Sequence, residues 1–498
     1  MNEYQSTECI LERTQTNENE ISLSVVEGQF RNDQGFLEPK KSSSEKTRSI
    51  LRMKQTLDRV NDASILEQAE LAGRRKRKYE NVQRNDLSTI SRAGDETLEE
   101  IKAALGENYN VSPTVKEEIY QLNCSFPSLD TTYKIYNKIG EGTFSTVYLG
   151  QKINTLHKEK YKLVALKRIY VTSSPQRIYN ELKLLYKLSG HENVAPLLDV
   201  IRYEDQVIAV LPYYQHYDFR DFYRDLPLIG IKTYMLELIK ALVWIHSKGV
   251  IHRDIKPTNF LYNPFTRKGV LVDFGLAEQY NPPISSNRCP CADESNSITV
   301  MRQQSLNNLV TFPRNGYLKD DQRPGRRANR AGTRGFRAPE VLFKCNNQSN
   351  KIDIWSAGVM LLTLLSRRFP FFNSTDDIEA IMEIMSIFGI KRMRDCALLH
   401  GLDLECNITR INEPPSLAAI IANAVILDCK DGNTFAADSP AWELVCAIDK
   451  KGRFTKDKLG KDYEIAMKFL ESMLSLDPTE RPSANDLLYD EFFDELEC

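Results

Sequence analysis

The chain has 498 residues, a formal net charge of −2, and ten cysteines dispersed from Cys9 to Cys498. That length exceeds one ordinary domain, so a large core with extensions is expected, and the near-neutral charge hides local asymmetry. The scattered cysteines exclude a dense disulfide framework and fit a reducing compartment; the first residues lack a signal-peptide pattern, and apolar stretches such as 357–365 are too short for a bilayer, so a soluble protein is expected.

Residues 1–130 read as an N-terminal extension, polar at first and mostly flexible, with a short helical part near its end. The basic run RRKRK at 74–78 reads as a nuclear import signal, an acidic-partner patch or a solvated helix end. From 97 to 122 the spacing is helical, and Val115–Ile119 is expected to pack a short helix against the domain that begins near residue 131. From Tyr133 the pattern changes to strand, glycine turn, strand, and 161–170 reads as a third strand. Ile178, Leu182, Leu185 and Leu188 then make one apolar helix face, and 205–214 supplies another strand. Beyond it the chain is helical. A strand-rich small lobe, 131–212, followed by a helix-rich large lobe, 213–493, makes an α+β bilobal arrangement. Two long segments interrupt it: 278–331, polar and without periodicity, and 396–455, apolar without a clear frame.

The residues that carry chemistry lie at 250–277. Asp254 and Asn259 are five apart with Lys256 between, and Asp273 comes after a hairpin-like turn through Asn263, Pro264 and Gly269. Phosphoryl transfer needs such a set. One carboxylate orients the attacking hydroxyl, an amide and a second carboxylate hold divalent metal, and a lysine offsets phosphate charge. Asp254 is the candidate for the hydroxyl, Lys256 for the phosphoryl group, and Asn259 and Asp273 for two Mg²⁺ ions with ATP. The spacing matches the H-R-D-x-x-x-x-N and D-F-G signature of eukaryotic protein kinases.

Upstream, Gly140 and Gly142 let backbone amides approach phosphates, and Val147 stands at the spacing that G-x-G-x-x-G-x-V requires; Ser145 replaces the third glycine. Lys167, in Val164-Ala165-Leu166-Lys167, is read as the lysine on the α and β phosphates, oriented by Glu181 on the next helix; Glu192 also lies nearby but in a loop. Leu261 joins the nucleotide set. Downstream, Glu340 is expected to pair with Arg481. Asp353 resembles the kinase aspartate that braces the catalytic loop, and Thr333 the threonine that contacts the catalytic aspartate. Thr333 and Lys256 both favour serine/threonine specificity.

Arg323, Arg326, Arg327, Arg330, Arg334 and Arg337 gather in RPGRRANRAGTRGFR with no acidic residue among them. Guanidinium groups grip carboxylate and phosphate in a fork, so the patch is read as selecting hydroxyls followed by acidic or phosphorylated residues. Cys289 and Cys291 have metal-ligand spacing but make only half of a structural Zn²⁺ site; distant residues or a partner would have to complete it, or they are free thiols. Basic runs without an aromatic-lined groove give no reason to expect direct nucleic-acid binding.

Over 131–493 the chain resembles the protein kinase fold. In IYVTSSPQRIYNEL, DQVIAVLPYY, FYRDLP, HRDIKPTNFLYN, GVLVDFGLAE and ANRAGTRGFRAPEVL it is similar to the fungal cell-division-cycle-seven kinases, catalytic subunits that work with a Dbf-four-type regulatory subunit. The resemblance implies phosphorylation of acidic-flanked sites on the replicative minichromosome-maintenance helicase, in the nucleus, to fire replication origins. It also implies dependence on the activator subunit, a Leu211 that guards the adenine pocket, and backbone contacts from Pro212 and Tyr214. A meiosis-specific paralogue and another acidic-directed nuclear kinase, such as one resembling casein kinases, are the alternative enzyme readings. A catalytically dead scaffold is the non-enzyme one, which the retained Asp254, Asn259 and Asp273 oppose.

Overall fold

The computed structural model describes residues 111–142, 144–153, 163–170, 173–280, 289, 291, 331–404, 406, 414–430, 435–436, 438–449 and 453–496. The basic run at 74–78, most of the segment 278–331, and Arg323, Arg326, Arg327 and Arg330 lie outside the described residues. The chain divides into two units after Gln215.

In the first unit, Ser112 caps helix α1 (Pro113–Ser125) by accepting from the Val115 amide, and Pro113 occupies the first turn, where a missing N–H costs nothing. Next comes a five-stranded antiparallel sheet, built from β1 (Tyr133–Glu141), β2 (Ser145–Lys152), β3 (Leu163–Ile169), β4 (Asp199–Tyr203) and β5 (Gln206–Pro212) in the order β1-β2-β3-β5-β4. Alternation along each strand sends side chains to opposite faces. Val164 and Leu166 of β3 and Ile208 and Val210 of β5 pack with Leu122, Phe126, Leu129, Tyr133 and Tyr148 into one buried cluster. Ala165 and Lys167 alternate to the other face, and the register places Lys167 beside Val147 on β2 and Ala209 on β5, with Ala165 opposite Leu211. Helix α2 (Pro175–Leu188) starts with the same Ser-Pro cap as α1 and buries Ile178, Leu182, Leu185 and Leu188 as expected.

The folded core thus begins before residue 131. Leu122 near the end of α1, and Phe126 and Leu129 just beyond it, are essentially inaccessible, so the end of the extension is part of this unit's interior.

In the second unit, α3 (Leu228–Ser247) packs on α4 (Lys351–Ser366) and on the hairpin of β7 (Phe260–Asn263) and β8 (Lys268–Leu271). A two-residue strand, β6 (Val250–Ile251), pairs with β9 (Glu278–Gln279). Every residue of α4 from Ile352 to Ser366 is buried, and its Gly358 lets Leu474 come close; a Cβ there would lie 2.9 Å from that side chain. Helices α5 (Asp377–Phe388) and α6 (Ile390–Leu399) come next, then α7 (Leu417–Lys430) and α8 (Lys458–Met473).

Within 396–455 the sequence shows no frame, yet α7 is regular and packs on α4 through Leu417, Ile421 and Val425. Its outward face also carries Ile420, Ile426 and the half-exposed Leu427, so apolar residues surround it and the helical period is masked. Arg224 pairs with Asp428 at 2.8 Å, and the Tyr463 hydroxyl donates to Glu443 at 2.9 Å, which ties this insert to the helices around it. Among the described residues no helix is long and apolar enough to cross a membrane.

Phe126 is 0% exposed, so Phe126→Ala should lower the stability of the first unit by about 3–5 kcal/mol, read as a lower urea midpoint. Tyr120→Ala, on the exposed side of α1, should leave that midpoint within about 0.5 kcal/mol of wild type.

Candidate active site

In the first unit the lysine on β3 and the glutamate on α2 form a buried pair, with Lys167 Nζ 2.5 Å from Glu181 Oε1 and both side chains under one-tenth exposed. Glu181, rather than the loop residue Glu192, is therefore the partner. Gly140 and Gly142 flank the β1–β2 turn, which the Gly142 amide closes with a 2.9 Å bond to the Ser145 carbonyl. Between them and α2 lies a contact that spacing did not foreshadow. The Arg177 guanidinium stacks 3.8 Å from the Phe144 ring centroid, and the Tyr170 amide donates to the Phe144 carbonyl, so the loop tip is fastened to the start of α2. Leu211 and Pro212 end β5, and the Tyr213 amide donates to the Leu163 carbonyl, so backbone beyond Leu211 runs along β3 into Tyr214.

In the second unit the catalytic loop is built around Asp254. Thr333 donates to its Oδ1 twice, from the amide at 2.9 Å and from the hydroxyl at 2.8 Å. Lys256 Nζ lies 2.8 Å from Oδ2 and donates to the Thr333 hydroxyl at 2.9 Å. Asn259 Nδ2 donates to the Asp254 carbonyl and to Oδ2, at 2.9 and 3.0 Å, which leaves the Asn259 Oδ1 as the oxygen offered to a metal. Burial alone would raise the Asp254 carboxyl, but Lys256 and Thr333 outweigh it and hold it below its ordinary value. Asp254 is thus a carboxylate at neutral pH, suited to orienting a hydroxyl and accepting its proton late. Asp273 sits at φ +64° just past β8, and the Val272 amide donates to the Asn259 carbonyl, which keeps the two oxygen donors on adjacent backbone. Two hard oxygen ligands on these adjacent backbone segments, with Lys256 on the first of them, suit Mg²⁺ with ATP. Leu261 lies on β7 between them, half-buried.

Below the loop, Asp353 on α4 is fully buried and accepts from the amides of His252 and Arg253, at 2.8 and 2.9 Å, with His246 Nε2 at 3.0 Å. Burial would raise this carboxyl; the hydrogen bond from His246 and the bond from the His252 amide help to keep it lowered. Gly332, at φ +100°, lies against the Arg253 carbonyl, where a Cβ would approach to 2.3 Å, so only glycine lets Thr333 reach Asp254. Glu340 and Arg481 form a two-pronged pair at 2.6 and 2.8 Å, with both residues at most 1% exposed.

Of the arginine group, the described members are not free to face solvent as a set. Arg337 donates to Asp377 at 3.0 Å and to the Gly332 carbonyl, and Arg334 lies 3.5 Å from the same carboxylate. The run has no acid within it, but α5 brings Asp377 across. Arg337 thereby becomes a clamp on the loop, while Arg334 stays 38% exposed.

The two-cysteine half-site is also completed across the fold. Cys289, Cys291, Cys345 and His400 are all buried, with ligand atoms within 4.8 Å of one another; Cys291 and Cys345 sulfurs are 3.6 Å apart, and Cys289 Sγ is 3.6 Å from His400 Nδ1. Hydrogen bonds from the neighbouring sulfurs lower the Cys289 thiol. Its contact, ahead of burial, pushes Cys291 up to about 12, and Cys345 is raised further still. A cation that displaced the remaining protons would find the closed Cys₃His donor set of structural zinc.

Burial raises the Glu340 carboxyl, but the Arg481 guanidinium overrides it and holds it below 4.5. A depressed folded value means the pair's stability is present above 4.5 and is lost as pH falls from there through the folded value. Glu340→Gln should therefore flatten the acid limb of a melting-temperature profile. At neutral pH it should cost about 3–5 kcal/mol by stranding Arg481.

The protein kinase domain family matches residues 133–296 and 315–493. The chain is 42% identical over 404 residues, 76% of its length and 75% of the relative's, to the cell cycle serine/threonine-protein kinase hsk1 of Schizosaccharomyces pombe. It is 38% identical to the cell cycle protein kinase spo4 of the same organism, over 76% of the chain and 89% of spo4. Against the human cell division cycle 7-related protein kinase it is 30% identical over 59% of the chain and 72% of that protein. With a strand-rich first unit, a helical second unit and these relatives, the chain belongs to the protein kinase family, among the cell-division-cycle-seven serine/threonine kinases.

Proposed function

We propose that the chain transfers the γ-phosphoryl group of ATP to serine or threonine hydroxyls followed by acidic residues on the replicative minichromosome-maintenance helicase. It does so in the nucleus, once bound by a Dbf-four-type regulatory subunit, to start replication at origins. The observation that carries the chemistry is Asp254, held as a carboxylate by Lys256 and Thr333 with Asn259 beside it. In this reading Asp254 orients the hydroxyl, Lys256 offsets charge on the moving phosphoryl group, Asn259 and Asp273 hold Mg²⁺, and Lys167 steadied by Glu181 meets the α and β phosphates. Gly140, Gly142, Val147, Leu211, Pro212, Tyr214 and Leu261 complete the nucleotide set. Mg²⁺ supplies a cationic clamp on the phosphate oxygens when bound. Arg334 and the arginines at 323, 326, 327 and 330 read the acidic side chains, while Arg337 holds the loop that carries them.

Activity should be low for the chain alone and rise when it is purified with its co-purifying subunit. Equal turnover in the two preparations removes the activator from this reading. Asp273→Ala should lower kcat by on the order of a thousandfold. Among serine peptides, acidic-flanked ones should react faster than basic-flanked ones, and Arg334→Glu should narrow the difference; equal rates in wild type would refute the selectivity.

We also assign a structural zinc to Cys289, Cys291, Cys345 and His400, which would pin both ends of the segment after Asp273 to the second unit's helices. Elemental analysis of the chelator-washed protein should find about one zinc per chain, lost in Cys345→Ser. Zinc retained by Cys345→Ser would place the metal elsewhere.

A further inference from the structure

Arg253, the residue before the catalytic Asp254, is charged yet buried. Its side chain is 4% exposed, and its backbone stands at φ +69°. The amide is tied to Asp353 at 2.9 Å and the carbonyl is covered by Gly332, so the main chain entering Asp254 is held on both sides. The guanidinium is buried with it, and a buried charge needs an anion.

In kinases that are switched on by phosphorylation, the anion arrives late, as a phosphate on the activation segment that orders it through new arginine contacts. Here the place is taken. Arg253 Nη2 bonds the Glu278 carboxylate, and Nη1 donates to Gln348 Oε1 at 2.7 Å. Gln348 is itself buried and fixed by its own bond to the Cys345 carbonyl at 2.9 Å.

Glu278 is also not a wandering loop residue. It lies on β9, paired with Ile251 of β6, and the next two residues are stitched to the Gly249 carbonyl by the Gln279 side chain and the Tyr280 amide, both at 2.7 Å. The strand that carries the anion therefore pairs with the strand that leads, two residues on, into Arg253. A phosphate on another residue would have to displace a carboxylate that is 40% exposed but held on a paired strand, from an arginine side chain that solvent hardly reaches.

We propose that Glu278 is a positioning residue that supplies, from within the chain, the anion that holds Arg253 and through it Asp254. Transfer by this kinase then requires no phosphate on its activation segment. The proposal rests on the reading of Asp254 as the group that orients the hydroxyl.

The test uses the full chain with its co-purified subunit and a degenerate serine/threonine peptide mixture, so that it does not depend on acidic selectivity. After treatment with a broad protein phosphatase, verified by mass spectrometry, wild type should keep its kcat. Glu278→Gln should lower kcat between about tenfold and a hundredfold, by loosening the backbone under the catalytic carboxylate. Its KM for ATP should stay near wild type while its melting temperature falls, because Arg253 is left without its anion, and Glu278→Asp should recover part of the rate. A kcat that collapses on dephosphorylation of wild type, or a Glu278→Gln enzyme as fast as wild type, overturns the proposal. The phosphatase arm decides the matter even where a variant does not fold. Asp254→Asn in the same preparation tests the underlying reading separately, since a fast Asp254→Asn enzyme would remove that reading whatever Glu278 does.

Discussion

The second unit depends on one buried carboxylate. Asp353 projects from a helix with no solvent-facing side and takes the amides of His252 and Arg253 together with a histidine ring. Neither amide belongs to a helix or sheet ladder, and each would be a costly orphan without it. Satisfying both bends the chain at Arg253 into a conformation that a side-chain-bearing residue adopts only under constraint. That bend sets the direction of Asp254, the close seat of Gly332, and the two bonds from Thr333 that fix the carboxylate's orientation.

The electrostatics around this point are layered so that each buried charge meets its complement. Asp254 has Lys256, Arg253 has Glu278, Glu340 has Arg481, and Arg337 has Asp377. Such pairs add little net stability when compared with apolar packing, but removing one partner is expensive, so they specify arrangement more than they add strength. The arrangement they specify is the path of the chain at both ends of the segment between Asp273 and Glu340. The first unit uses the same device in Lys167 and Glu181, on the sheet face opposite the packed core.

Much of this was legible from spacing. Asp254, Lys256 and Asn259 lie within one short loop, where sequence separation dictates distance, and Lys256 and Asn259 both contact Asp254 there. Ile178, Leu182, Leu185 and Leu188 likewise declare a helix face because polar residues separate them. Helix α7 did not, since apolar residues on its outward side erase the period. The role of Leu122, Phe126 and Leu129 in the sheet's core was hidden for a different reason. They are too few to show a pattern, and it is the sheet that supplies the rest of their cluster.

The kinase family was legible in the sequence alone. Residue types in a fixed local order carry it, and a loop of six residues leaves Asp254, Lys256 and Asn259 few ways to stand apart. Only the tertiary structure decided which charges and ligands meet across long separations. Asp377 turns an arginine of an apparently open basic run into a clamp, Glu278 neutralises Arg253, and Cys345 and His400 join two cysteines that looked like half a metal site. Contacts over 25 to 111 residues are set by how helices and strands pack, and packing is a property of the whole core that no local spacing records. The carboxylate of Asp254 stands where both kinds of information meet: its neighbours within the loop could be read directly, while the groups that hold it from farther along the chain had to be seen in place.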